Sequence, residues 1–244
     1  MILEARSGRT AIITINRPER RNALNFDAVV ALDDAVASAM ADEVRAIVFT
    51  GTDGHFCAGA DLKDLEDLAF TKRLRVMLSN VANVSVPTIA AISGSCIGLG
   101  MQLSLGCDMR FATPDANCAI PVAKLGLMID HWSLQRLVRA VGTGTARYMA
   151  LSAQFLPAET MLARGFLQEV IDGDVLAYAM EVADRIATLA PLAISGTKLG
   201  MNLIEPTLSE PAFEAAFVRA WESDDLVEGR AAFVERRPAK FKGR

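Results

Sequence analysis

Two short turns rich in small residues carry the groups best suited to chemistry in this sequence. One is Ser93-Gly94-Ser95-Cys96-Ile97-Gly98-Leu99-Gly100-Met101-Gln102-Leu103, and the other is His55-Phe56-Cys57-Ala58-Gly59-Ala60-Asp61-Leu62-Lys63. Each runs from a strand-like stretch into a helix, and a helix start leaves backbone N–H groups without intrahelical acceptors. Glycine lets the chain bend sharply there, so one amide from each turn can converge on a single carbonyl oxygen and stabilise charge developing on it. Taken alone, either turn reads first as an ordinary strand-to-helix corner with glycine for packing. Beyond the second turn stands Gln102, an amide where general acid–base chemistry wants a carboxylate. An amide orients water but does not take its proton near neutral pH.

The elements that must position these turns follow from the apolar pattern. Thr10 to Ile15, Arg45 to Thr50 and Pro87 to Ile92 are β-branched runs stopped by polar or glycine turns. Between the first two, Asn25 is placed to cap a helix with Val29, Leu32, Val36 and Met40 inside and Asp33 and Asp34 outside. This is a β-α-β rhythm, and Met109 to Ala112 and Asn117 to Ile120 read as further strands about Pro114-Asp115. Met77 to Cys107 holds no charged residue, but Pro87 and its glycines and serines divide it, so it reads as a buried strand plus a buried helix and not as a membrane span. After Asp130 the pattern turns helical: Trp132 to Val141, Thr143 to Ser152, Ala158 to Arg164 and Val175 to Leu189. Gly165 stops one helix before the strand-like Leu167 to Ile171.

Composition excludes several classes of function. The chain has 244 residues, 52% of them hydrophobic, enough to bury a full core as one functional unit. A net charge of −4 argues against general nucleic-acid binding, which needs Lys and Arg to neutralise phosphates. Cys57, Cys96, Cys107 and Cys118 lie in apolar or glycine-rich surroundings without Cys-x-x-Cys pairing, as expected for buried reduced thiols of a cytoplasmic protein. The N-terminal residues show no basic head with an apolar run, so no signal peptide is expected.

Together with their neighbours the turns resemble the enoyl-CoA hydratase/isomerase (crotonase) superfamily. The resemblance runs through Asn16-Arg17-Pro18-Glu19-Arg20-Arg21-Asn22-Ala23-Leu24-Asn25, Phe56 to Leu62, Pro87 to Gly94 and Cys107-Asp108. It continues through Leu125-Gly126-Leu127, Gln135-Arg136-Leu137, Leu156 to Glu159 and Ala232 to Pro238. It implies an α/β fold, a crotonase-like spiral of β-β-α units, with residues 1–190 as the core and 191–244 as a C-terminal helical trimerisation region. It also implies a homotrimer or a hexamer of two trimers, and a coenzyme A thioester as ligand with no permanently bound cofactor, metal or nucleic acid. The amides of Ala60 and Leu99 would form the oxyanion hole. Ala23, Ala58, Asp61, Leu62 and Lys63 would meet the CoA, and Phe233 and Arg236 would close over it, in a neighbouring subunit. Lys72, Arg73 and Arg75 are further candidates for its phosphates, each equally a solvated helix charge.

The two glutamates that share acid–base work in the family's hydratases fall on Gln102 and Val122, so the resemblance implies poor hydration. Asp130 aligns with a loop position where some members place an acidic catalyst, and it is as readily the cap of the helix beginning near Trp132. His131 beside it reads as structural or solvated, and Trp132 as either a wall of the acyl pocket or plain core packing. His55 reads as a surface-loop residue, and Lys240, Lys242 and Arg244 as a solvated tail. Two functions remain open: a fatty acyl-CoA binding protein of lipid metabolism, with a possible protein partner there, or an isomerase-type enzyme using Asp130. A weak hydratase is the third.

Overall fold

The structure, a computed structural model, describes residues 1–61, 68–203, 218 and 221–240. Its larger sheet has six strands. These are β1 (Ile2–Ser7), β2 (Thr10–Ile15), β3 (Ala46–Gly51), β4 (Thr88–Ile92), β6 (Met109–Ala112) and β9 (Glu169–Val170), in that order. β1 and β2 form an antiparallel hairpin, and every later pairing in this sheet is parallel. A second sheet joins β5 (Ser95–Ile97), β7 (Asn117–Ala119) and β8 (Phe155–Pro157) in that order.

Alternation along the strands decides what covers each face, since successive side chains point opposite ways. Ala46, Val48, Ile89, Ala91 and Phe111 pack against Val175, Ala179, Val182 and Ala183 of α6 (Val175–Ala187). Ile47, Phe49, Ala90 and Ile92 turn to the opposite face. There they join the main core with α1 (Phe26–Ala41), α2 (Leu68–Asn83) and α3 (Leu99–Gly106). The mixture of sheets and packed helices is the α/β architecture that the sequence pattern predicts.

Several elements differ from the sequence-based expectation, each for a physical reason. Asp33 is buried rather than outside, because Arg73 of α2 approaches its carboxylate to 2.6 Å and Asn80 donates to it at 2.8 Å. The charge-free stretch from Met77 to Cys107 contains the end of α2, then β4, β5 and α3, two strands rather than one. The region after Asp130 is not purely helical, because β8 adds antiparallel to β7 with Leu156 opposite Cys118. As expected, separate helical stretches run to Val141 and from Thr143, meeting within α4 (His131–Ser152) at Gly142, whose φ of 75° is not helical. Asn25 caps α1 as expected, accepting from the Ala28 N–H at 2.9 Å.

The C-terminal part begins with α7 (Pro191–Leu203) and ends in α8 (Asp224–Val234). Lys198 of α7 is buried and reaches back to the core, donating to the Val86 carbonyl at 2.8 Å and pairing with Asp108 at 2.7 Å. Asp108 also accepts from the Thr88 N–H at 2.7 Å and its hydroxyl at 3.0 Å, so one carboxylate joins α7 to β4 and β6. No helix among the described residues is long and apolar enough to cross a membrane.

Candidate functional site

The two turns meet because the strands that feed them pair. Cys57 bridges Cys96 of β5 in parallel, with the Cys57 N–H donating to Ser95 O at 2.8 Å and the Ile97 N–H donating to Cys57 O at 3.0 Å. Three residues beyond each paired cysteine stand Ala60 and Leu99, so parallel register brings both to the same level. The corners abut. A Cβ on Gly98 would lie 3.7 Å from the Gly59 Cα, and both glycines have positive φ, 55° and 118°, as these tight bends require. Leu99 is the first residue of α3, so its N–H has no intrahelical acceptor. Ala60 bridges Leu24, but the hydrogen bonds of that bridge use Gly59 O and the Asp61 N–H. Among the described residues neither the Ala60 nor the Leu99 N–H makes a hydrogen bond.

These amides border a cavity of about 1310 Å³, large for a small-molecule site. Ala23, Ala58, Ala60, Asp61, Leu99, Gln102, Val122, Asp130, His131, Trp132 and Phe233 all lie in its wall. Leu62 and Lys63 fall outside the described residues. Arg236, exposed with a φ of 55°, does not line the cavity of its own chain. Asp61 is committed to Arg17 at 3.1 Å, and Arg17 also donates to the Ala23 carbonyl. That pair ties the loop after β2 to the turn that carries Ala60. Among the basic candidates, Lys72 lines the cavity and Arg73 is taken by Asp33. Arg75 lies 4.5 Å over the Trp132 ring and 3.8 Å from Asp130.

Asp130 is both the cap of α4 and a wall residue. Its Oδ1 accepts from the Ser133 N–H at 3.2 Å, and its Oδ2 accepts from the Ser133 hydroxyl at 2.7 Å and from Gln102 Nε2 at 3.2 Å. The carboxylate is thus anchored to its own helix and to α3. Gln102 Nε2 also donates to Ser133 Oγ at 3.0 Å. Sequence reasoning missed Ser133, and only its position three residues after the cap Asp130 hints at its part. His131 pairs with Gln135 one turn along α4 at 3.3 Å. Trp132 is flanked by Arg75 and Arg136, each 4.5 Å from its ring, which serves as a wall in a cationic frame.

His55 departs from the surface-loop reading: it is half-buried, and its Nδ1 accepts from the Ser95 N–H at 3.3 Å, bracing the start of β5. Asn22 is wholly buried beside it and donates to the carbonyls of Thr52 and His55 at 2.8 and 2.6 Å. The cysteines are all buried and unpaired by disulfides. Burial pushes the Cys57 and Cys107 thiols up to about 12, which makes them poor nucleophiles. No cluster of metal-ligating side chains occurs among the described residues.

Comparison with known proteins agrees with this geometry. Residues 6–244 match the model of the family described as enoyl-CoA hydratase/isomerase. A protein of Mycobacterium tuberculosis named probable enoyl-CoA hydratase is 42% identical over 238 residues, covering 96% of each chain. The human mitochondrial methylglutaconyl-CoA hydratase is 32% identical over 258 residues, covering 99% of this chain and 76% of its own. The crystal structure of carnitinyl-CoA hydratase from Mycobacterium avium superposes with a TM-score of 0.88 at 33% identity, over 100% of this chain and 98% of its own.

Proposed function

The chain belongs to the enoyl-CoA hydratase/isomerase family, and on that premise we propose that it holds a fatty acyl-CoA thioester through a backbone oxyanion hole without efficiently hydrating it. The observation that carries this reading is the pair of unengaged amides, Ala60 and Leu99, set side by side at the wall of a large cavity. Two N–H groups on one thioester oxygen polarise the carbonyl and fix the acyl chain's entry, which supports holding as well as chemistry. Hydration additionally needs water to be deprotonated and the α-carbon to be protonated. Gln102 and Val122, which the resemblance aligns with the two glutamates of the family's hydratases, both line the cavity, and neither side chain takes up a proton near neutral pH.

The anchoring of Asp130 favours its role as cap over a role as proton shuttle. A carboxylate that already accepts from the Ser133 N–H, the Ser133 hydroxyl and Gln102 must break these bonds to move a proton along an acyl chain. The CoA handle runs past Ala23, Ala58 and Asp61, with Leu62 and Lys63 assigned to the same path. Phe233 and Arg236 cover the CoA of a neighbouring subunit. Residues 191–244 serve the trimer, or hexamer, through the outward apolar side chains Leu192, Leu199, Met201 and Leu203 of α7. The protein works in the cytoplasm, in fatty acid metabolism, and needs no permanent cofactor.

Calorimetry with acyl-CoAs of short and long chain, beside incubation with crotonyl-CoA and with 3-enoyl and dienoyl thioesters, tests the proposal. Saturable acyl-CoA binding without turnover is the expected result. Robust hydration of crotonyl-CoA overturns it, and turnover abolished by Asp130→Asn replaces it with the isomerase reading.

A further inference from the structure

β5 leads directly into the turn that carries Leu99, and one of the bonds holding β5 to the Cys57 segment comes from a side chain. Strand N–H groups alternate in direction. The Gly98 N–H donates to Ala119 O at 2.8 Å on the β7 side, and the Ile97 N–H donates to Cys57 O at 3.0 Å on the opposite side. The Ser95 N–H therefore faces the Cys57 segment, where regular parallel pairing would give it the His55 carbonyl. That carbonyl is already taken, because the buried Asn22 donates to it at 2.6 Å. The His55 ring fills the gap, its Nδ1 accepting the Ser95 N–H at 3.3 Å. A ring nitrogen that accepts carries no proton, so the ring's hydrogen sits on Nε2. The seat is shaped for this ring. Gly94 has a φ of 49°, and a Cβ there would lie 2.7 Å from Nδ1, so glycine is what lets the imidazole approach β5.

We propose that His55 is a positioning residue for the thioester-holding amides, its imidazole standing in for a backbone acceptor so that the Ala60 and Leu99 turns keep one spacing. The inference rests on the thioester-holding reading above. Ser95 O accepts the Cys57 N–H at 2.8 Å, and Ala60 and Leu99 each lie three residues beyond the bridged pair Cys57 and Cys96. Without the ring acceptor the Ser95 N–H is left unpaired, and the start of β5 shifts to find another partner. The Cys57–Ser95 bond then loosens, and the two amides lose the alignment, of about half an ångström, that sharing one oxygen requires.

The test is titration of the natural protein, His55→Leu and His55→Asn with an acyl-CoA and with free CoA, which lacks the thioester carbonyl. The quantity read is the ratio of the two affinities within each protein, which a merely structural role for His55 does not move. In His55→Leu, with no acceptor, the ratio is expected to fall about 3- to 10-fold. In His55→Asn, whose Oδ1 can take the place of Nδ1, it is expected to return to within about twofold of the natural value. An unchanged ratio in His55→Leu overturns the inference, as does an equal fall in both variants. Should His55→Leu fail to fold, the ring of the natural protein decides: 15N spectra are expected to show Nδ1 unprotonated and coupled to the Ser95 amide nitrogen, and a proton on Nδ1 overturns the inference. A natural protein that binds acyl-CoA no more tightly than free CoA defeats the thioester-holding reading instead, so the two failures are distinct.

Discussion

Gly100→Ala is expected to damage the proposed oxyanion site without adding any polar or charged group. Gly100 lies one residue into α3, and a Cβ there would sit 2.8 Å from the Cys57 Cβ and 3.1 Å from its carbonyl carbon, nearer still to the carbonyl oxygen. That oxygen accepts the Ile97 N–H at 3.0 Å, one of the bonds that pair the Cys57 segment with β5. Relief requires the α3 start and the Cys57 strand to part by about half an ångström or more, which overpacking of this kind charges at about 1–3 kcal/mol. Weakening the Cys57–Ile97 bond adds about 0.5–1.5 kcal/mol. For a chain of this size the combined loss lowers Tm by about 5–15 °C. Separated amides no longer meet one carbonyl oxygen, so acyl-CoA affinity falls about 3- to 10-fold while free CoA, lacking that carbonyl, is held as before. Scanning calorimetry and titration with both ligands measure the two effects. Gly144 has open space at its Cβ position, so Gly144→Ala in α4 serves as a control and is expected to raise stability by about 0.5–1 kcal/mol. A Gly100→Ala protein with unchanged Tm and unchanged acyl-CoA affinity refutes the reasoning.

Further outcomes follow from other parts of the molecule. Lys198→Met removes the buried cation between Asp108 and the Val86 carbonyl; with Asp108 partly solvated the expected loss is about 2–4 kcal/mol in a denaturant titration, and a change below about 1 kcal/mol contradicts the anchoring role of this residue. The Arg237 guanidinium, helped by the Lys240 N–H, lowers the Glu228 carboxyl to about 2 from an ordinary 4.5. The folded value is depressed, so the contribution of this tie is present above pH 4.5 and is lost as pH falls towards about 2. Protection of the Lys240 amide, read as its exchange rate relative to the intrinsic rate at each pH, is expected to fall over that window, and unchanged protection argues against the tie. The buried thiols of Cys57 and Cys107 are expected to react with a disulfide reagent at pH 8 only after denaturation, and prompt labelling of the native protein contradicts their burial.

Local pattern made β2, β3, β4 and β6 legible, because short runs made mostly of β-branched or apolar residues and bounded by turns have few alternatives. β5 and β8 were hidden: each has three residues, and each exists through non-local pairing, β5 with β7 and β8 with β7, rather than through its own composition. Asp33 read as solvent-facing because its partners Arg73 and Asn80 arrive from α2, some forty residues later. At the site, the glycines marked both turns, and Ala60 and Leu99 line one cavity. The Gln102–Ser133–Asp130 arrangement was only half visible, since the cap is local to α4 while its tie to α3 spans 28 residues. The Lys198 anchor left no local signal at all, because a lysine on a helix reads as solvated until the fold buries it.

The carbonyl resonance of an acyl-CoA labelled with 13C at its thioester carbon, followed by NMR in the presence of the protein, tests the central claim most directly. On the proposed reading two N–H donors, Ala60 and Leu99, polarise that carbonyl, so the bound resonance is expected downfield from its free position. With labelled crotonyl-CoA the account predicts the same downfield shift, persisting while the 2,3 double bond remains intact. A bound resonance at its free position, or its steady replacement by that of the 3-hydroxy product, contradicts the account.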